Sequence, residues 1–323
     1  MTALANNALK QNNVISSSKL FGDYLVMLIA PCIVAVWYYG SKVFAVLAVS
    51  IASALVCDFA ASVLLGREFR LKDFSNIFIG AAIAMMMPAG VPLYIPAVAA
   101  SFAVLAVKIP FGGALHAPFV PAAAGFAFAS VCFKEQIFTY AYNSDGKIFG
   151  ANSLASLLAR GNSVSLSSAA TTVDLLAGNS AGPMGTGCAL LMIACCAYLF
   201  VKRRKALLAT AGFVVACAVV AAVAPRINAS PLSSIVLELS SGSLLFAAVF
   251  LITDHATMPQ KNLNRVIYGA ICGILCMIMR RMGTFEEPVC FAILLANGFR
   301  PVLDSVIGAV TVSLPKRKEA VRK

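Results

Sequence analysis

The amino-acid sequence predicts an all-α polytopic membrane protein with about ten transmembrane helices in two inverted five-helix repeats. Three observations predict it. First, 60% of the 323 residues are hydrophobic and only 12% are charged, with a mean hydropathy of +0.89; a soluble domain carries roughly 25% charged residues. Second, runs near twenty apolar residues recur along the chain, each long enough to cross a hydrocarbon core of about 30 Å as a helix. These runs are continuous rather than alternating with a period of two, which excludes a barrel. Third, the halves on either side of a polar interval, residues 134–183, share one pattern of short and proline-broken segments.

Residues 1–20 are polar and rich in Asn and Ser. They hold no apolar stretch followed by a small-residue cleavage site, so they read as a cytoplasmic tail that is not removed. The first half, residues 21–133, holds segments Phe21–Tyr39, Val43–Leu65, Phe74–Met87, Pro92–Val107 and Ala122–Phe133. The third is short and stops at Met87-Pro88-Ala89-Gly90, where proline and glycine end a helix. The fifth follows a broken stretch containing Gly112-Gly113, Pro118 and Pro121.

The second half, residues 184–314, holds Met184–Val201, Ala206–Ala224, Glu238–Ile252, Val266–Met279 and Val289–Leu314. Its third segment ends at Met258-Pro259, and its fifth is interrupted at Asn297-Gly298-Phe299-Arg300-Pro301. Residues 315–323 form a basic tail. Short or Pro/Gly-interrupted segments at matching places in two halves mark an inverted repeat with its site at the repeat interface.

Orientation follows from Lys202-Arg203-Arg204-Lys205, a cationic hairpin that belongs in the cytoplasm. Counting from it puts both termini and most of the 25 lysines and arginines inside, and residues 134–183 outside. The net charge of +12 is therefore read as loop asymmetry and not as a nucleic-acid surface. The expected surroundings are a lipid bilayer. The ten cysteines sit mostly inside apolar runs. A cluster needs about four converging thiolates, so no metal site is expected.

Few residues remain to carry chemistry. Asp254 ends the eighth segment, and Asp304 lies four residues from Arg300, on one helix face. Ionisable groups at membrane depth are buried, paired and functional; the Arg300–Asp304 pair reads equally as an internal strut or as part of a cofactor or ion site. Asp58 and Glu238 read as interface groups. The polar interval exceeds the roughly 15 residues beyond which loops carry a function or lack order. It contains Leu166-Ser167-Ser168-Ala169-Ala170-Thr171-Thr172 and the glycine-rich run Gly178–Gly187. Nucleophilic catalysis by Thr171 needs an adjacent base, and only Asp174 is close in sequence. A serine could cap a short helix here, but Thr171 also offers an uncrowded hydroxyl for another enzyme to modify.

These residues resemble the RnfD and NqrB family, membrane subunits of the Rnf ferredoxin:NAD oxidoreductase and of the sodium-pumping NADH:quinone oxidoreductase. The resemblance runs from about Asp23 to Asp304 and is best at Gly182–Tyr198, Thr253–Pro259, Asn264–Gly269 and Phe291–Asp304. It implies ten helices in two inverted halves, in a bacterial or archaeal cytoplasmic membrane. It also implies FMN joined by a phosphoester to the threonine of an S-G-A-T motif, matched here by Ser168-Ala169-Ala170-Thr171. A non-covalent riboflavin, flavoprotein and iron–sulfur partner subunits, and outward Na⁺ or H⁺ transport are further implications.

The cofactor-binding residues so expected are Thr171, Ser168, Thr172, Gly182, Gly185, Thr186, Asp254, Thr257, Asn297 and Arg300. This chain departs from the family at Ser165, where Asp is common, and at Ala169 and Thr172 for glycine and proline. The N-P-F-N-P element is Ala117-Pro118-Phe119-Val120-Pro121, and Phe126 replaces an arginine. The rival expectation is a flavin-free channel or transporter for an ion or small solute, built on the same architecture.

Overall fold

The computed structural model describes residues 2–66, 73–140, 142–144, 147–149, 153–159, 182–226, 230–283 and 286–313. The first half forms α1 (Thr2–Tyr39), α2 (Lys42–Leu64), α3 (Ser75–Met85), α4 (Tyr94–Phe102) and α5 (Pro121–Cys132). A π-helical turn, Ala103–Lys108, extends α4. Between the halves stand α6 (Lys134–Ile137), an antiparallel hairpin of β1 (Tyr142–Ser144) and β2 (Lys147–Phe149), and α7 (Leu154–Ala159). The second half forms α8 (Ala189–Lys202), α9 (Arg204–Val223), α10 (Pro231–Ser240), α11 (Leu244–Phe250), α12 (Asn262–Met282) and α13 (Val289–Ser313).

The protein is helical and polytopic. Four helical stretches are long and apolar enough to cross a bilayer: Ser18–Tyr39, Lys42–Leu64, Arg204–Val223 and Asn262–Met282. The pair α10 and α11, bent by 64°, makes a fifth if taken as one span. Ser75–Met85, Tyr94–Lys108, Pro121–Cys132 and Ala189–Lys202 are apolar but only 10–17 residues long, below the about 20 residues a full crossing needs.

Three expectations are corrected. The eighth segment starts at Pro231, not Glu238, and breaks at Ser241-Gly242-Ser243, with Gly242 at φ 62°. The tenth is not interrupted. α13 runs through Pro301, a residue that membrane-spanning helices tolerate. The polar interval is not loop throughout: Ile137, Tyr140, Leu154 and Leu158 are buried, which pulls its opening into α6, the hairpin and α7. On residues 1–20, whose secondary structure the sequence left open, α1 begins at Thr2 and continues into the first span.

Glycines set the closest helix contacts. A Cβ at Gly269 would overlap the Ala209 carbonyl, and one at Gly212 would overlap that of Val266, so α9 and α12 meet backbone to backbone. Gly80 does the same for α3 against Ser50 and Ile51 of α2. Small residues permit this approach in membranes, where apolar burial gives helices no net attraction. Two hydroxyls reinforce it. Ser50 Oγ of α2 donates to the Gly80 carbonyl of α3 at 2.7 Å, and Thr210 Oγ1 of α9 donates to the Ala248 carbonyl of α11 at 2.8 Å. In both halves the second helix is thus bonded to the short third segment, to α3 in the first and to its α11 arm in the second.

Candidate functional site

The expected site residues fall at opposite ends of the bundle. One end carries the Lys202–Lys205 hairpin and the other is the distal end. Thr171, Ser168 and Thr172 lie outside the described residues. The segment that follows them is anchored at the distal end. Met184 and Gly185 donate their N–H groups to Met87 O (3.0 Å) and Met85 O (2.8 Å) at the C-terminus of α3. Carbonyls there have no partner within the helix, so the segment caps α3. A Cβ at Gly185 would come within 2.6 Å of the Met85 side chain, so only glycine fits without displacing it. Tyr39, at the end of α1, donates to the Gly182 carbonyl at 3.2 Å. Thr186 is buried and turns its hydroxyl onto the Pro183 carbonyl at 3.1 Å.

At the hairpin end, the loop between α11 and α12 carries Asp254 and Thr257, both buried. Asn297 of α13 and Tyr268 of α12 face them, with the Tyr268 hydroxyl donating to Asn297 Oδ1. Arg300 and Asp304 do share a face, with Nε 3.7 Å from Oδ2. Arg300 also donates to the Ala256 carbonyl, and Asn264 Nδ2 donates to Asp304 Oδ1 at 2.6 Å. From α1, Tyr24 donates to the Thr253 carbonyl at 2.6 Å and accepts from Arg203 at 2.9 Å. The hairpin is thereby tied to the loop.

Asp254 Oδ2, Thr257 Oγ1, Asn297 Nδ2 and Asn264 Oδ1 are buried without a hydrogen-bond partner. Buried polar groups nearly always find one, and four unpaired atoms in one region mark a place built for something else. They include both donors and acceptors. That set fits the polar edge of a ring such as a flavin, which alternates the two. Burial lifts the Asp254 carboxyl to about 6, against the pull of the Thr257, Ala256 and His255 backbone N–H groups and of Arg203. Burial, helped by the charges of Arg203, Arg265 and Arg300, holds the His255 imidazole below its usual range.

Other charged clusters were not anticipated. Lys108, at the end of the π turn, is buried and donates to Asn76 Oδ1 at 2.6 Å, with Asp73 at 3.3 Å and Asp58 at 3.5 Å. At the distal end Glu238 takes Arg226 through two nitrogens and Arg280 at 3.2 Å. Asp58 and Glu238, expected as interface groups, are thus partners of buried cations. Arg281 donates to the Val220 and Ala224 carbonyls at the end of α9. The signal was present in the sequence: cations at the ends of apolar runs, whose partners lie 12 to 61 residues away.

Comparison with known proteins shows what the chain is similar to. The chain is 26% identical over 299 residues to the D subunit of the ion-translocating oxidoreductase complex of Halorhodospira halophila, covering 83% of this chain and 84% of that one. It is 29% identical over 285 residues to the protein of the same name from Stutzerimonas stutzeri, covering 79% and 80%. It is 25% identical over 291 residues to the D subunit of the Na⁺-translocating ferredoxin:NAD⁺ oxidoreductase complex of Acetobacterium woodii, covering 90% and 88%. Residues 8–312, nearly the whole sequence, fit one family profile, and the chain therefore belongs to the NQR2, RnfD, RnfE family.

Proposed function

We propose that this chain is the D-type membrane subunit of an ion-translocating ferredoxin:NAD oxidoreductase. It carries FMN on Thr171 and takes part in electron transfer coupled to Na⁺ or H⁺ export. The observation that carries this reading is the family match over residues 8–312 with Ser168-Ala169-Ala170-Thr171 inside it. The anchoring of Gly182–Thr186 on α3 supports it, because a tether near the modified threonine keeps a water-facing cofactor close to the bundle.

The reading includes ten segments in two inverted halves. Its support is the matched hydroxyl bonds, Ser50 to Gly80 and Thr210 to Ala248, and the Met87-Pro88 and Met258-Pro259 turns that follow the two short helices. It also includes a second, non-covalent flavin such as riboflavin at the hairpin end. There Asp254, Thr257 and Asn297 would meet the ring edge, and Arg300 would hold the loop through Ala256. Bound flavin supplies the redox chemistry; the chain's residues bind it, orient it and exclude water. The sequence holds no nucleotide-binding fingerprint for NAD, so flavoprotein and iron–sulfur partner subunits handle the soluble carriers.

The test is direct. Protein made in cells that flavinylate other proteins is run in SDS and viewed for flavin fluorescence, with intact mass as the second reading. A fluorescent band with the mass increment of one FMN phosphoester, both lost in Thr171→Ala, is the expected result. A dark wild-type band of unmodified mass would sink the assignment and favour a flavin-free transporter.

A further inference from the structure

The distal end holds a carboxylate that the proposed function does not use. Glu287, between α12 and α13, is fully buried. Its Oε2 accepts from the Ser243 backbone N–H at 2.9 Å and from the Ser243 hydroxyl at 2.5 Å; its Oε1 has no partner. Ser243 belongs to the break between α10 and α11. A Cβ on Gly242 would overlap the Glu287 carboxylate, so the left-handed glycine at the break is what admits the acid. Broken helices line ion sites in transporters, and an acid at membrane depth is functional by default.

The nearest cation does not neutralise it by contact. Arg280 of α12 gives its NH1 and NH2 to Glu238 and to the Ser241 hydroxyl and carbonyl, leaving Nε without a partner. Arg226 is likewise engaged with Glu238. The other titratable groups facing Glu287 are Tyr140 from the polar interval, with Glu286 beside it, Cys276 on α12 and Cys290 on α13.

We propose that Glu287 is a proton-exchange site of the membrane domain, loading and releasing a proton through its unpartnered Oε1. The O–H bond forms with a proton from water or hydronium and breaks on release; no electron moves. A metal cation would need several free oxygens, whereas Oε2, the Ser243 hydroxyl and the Ser241 carbonyl are already engaged. One free oxygen suffices for a proton.

The location favours exchange over mere strutting. From Glu287 α11 runs toward the hairpin end, its Leu244, Phe246, Ala247, Ala248, Val249 and Phe250 all fully buried. The rings of Phe246 and Phe250 lie 4.7 Å apart. Beyond this dry helix, about 10 Å long, comes Asp254 with its own unpartnered oxygen. Two acids, each with one free oxygen, therefore flank an apolar septum, which lets each communicate with its own side. On the distal side Ser153 donates to Glu286 at 3.4 Å, linking the polar interval to the residue beside Glu287.

The role in ion export rests on the function proposed above; protonation of Glu287 does not. The test is infrared spectroscopy of the full-length protein in lipid nanodiscs, titrated from acid to alkaline pH. A carboxylic-acid C=O band should vanish as pH rises, be absent in Glu287→Gln, and persist in Asp254→Asn. Thr171→Ala should retain it, so that a failed flavin assignment leaves this result unaffected. Because Glu287→Gln could misfold, Ser243→Ala gives a second reading: with two bonds to the carboxylate reduced to one, the band should persist to higher pH. Identical band sets in wild type and Glu287→Gln, or an unmoved titration in Ser243→Ala, would overturn the proposal. So would erasure of the band at constant pH when NaCl replaces choline chloride, which would make the ligand Na⁺.

Discussion

Asp254 shows how a single residue reports on a site. Its carboxyl is raised from 3.8 to about 6 because folding removes it from water. A raised acid favours the folded state while protonated, fully so below pH 4, and loses that contribution as pH rises through 6. Two units correspond to about 3 kcal/mol. Asparagine has nothing to lose, so Asp254→Asn should gain about 3 kcal/mol on wild type between pH 4 and pH 8. Thermal unfolding of both proteins at the two pH values measures this as a double difference, in which every other titration cancels. An equal pH response in the two would mean that Asp254 is solvated or paired. The residue was legible in the sequence because an acid ending an apolar run is conspicuous. Thr257 and Asn297 were legible only through the family resemblance, whereas Arg300 was already marked by its helical spacing from Asp304; nothing in the local sequence says that Asp254, Thr257 and Asn297 each keep an unpartnered polar atom.

At the scale of elements, the contacts between helices decide what each glycine tolerates. Gly269 of α12 faces the Ala209 backbone of α9, which cannot yield as a side chain could. Gly298 of α13 has nothing within 4 Å of the Cβ position. Gly269→Ala should therefore destabilise by about 3 kcal/mol through overpacking, while Gly298→Ala should stabilise by up to about 1 kcal/mol through helix propensity. Thermal denaturation in one detergent compares them, and equal shifts would refute the α9–α12 packing. Similarly, Gly185→Val should strip the interval's anchor from α3 and make the Gly182–Thr186 segment a protease target, a change read by limited digestion. Segment positions were readable from apolar run length to within a few residues. The break in the eighth was not: Ser241-Gly242-Ser243 contains no proline, and its geometry is fixed by Glu287, 44 residues away from Ser243. The opposite error came at Pro301, where the helix continues past a local breaker.

For the whole molecule, the consequence of two sites at opposite ends is a demand on topology. α1 spans them, with Tyr24 tied to the Asp254 loop and Tyr39 tied to Gly182, about 22 Å apart along the helix. That is most of the hydrocarbon thickness, so the proposed topology turns one site toward each compartment. The hairpin identifies the faces, because Lys202, Arg204 and Lys205 are exposed while Arg203 turns inward over the Tyr24 ring at 5.2 Å. Cations so placed stay on the cytoplasmic side during insertion. Thr139, exposed at the start of the polar interval, should then be reachable only from outside. In a chain whose exposed Cys132 is replaced by Ala, Thr139→Cys should react with a membrane-impermeant maleimide added to intact cells. Lys205→Cys should react only in inverted vesicles. Labelling of both from one side would place Thr171 in the compartment of the Lys202–Lys205 hairpin. Outward delivery of an ion driven by a flavin on the far face would then have no structural basis.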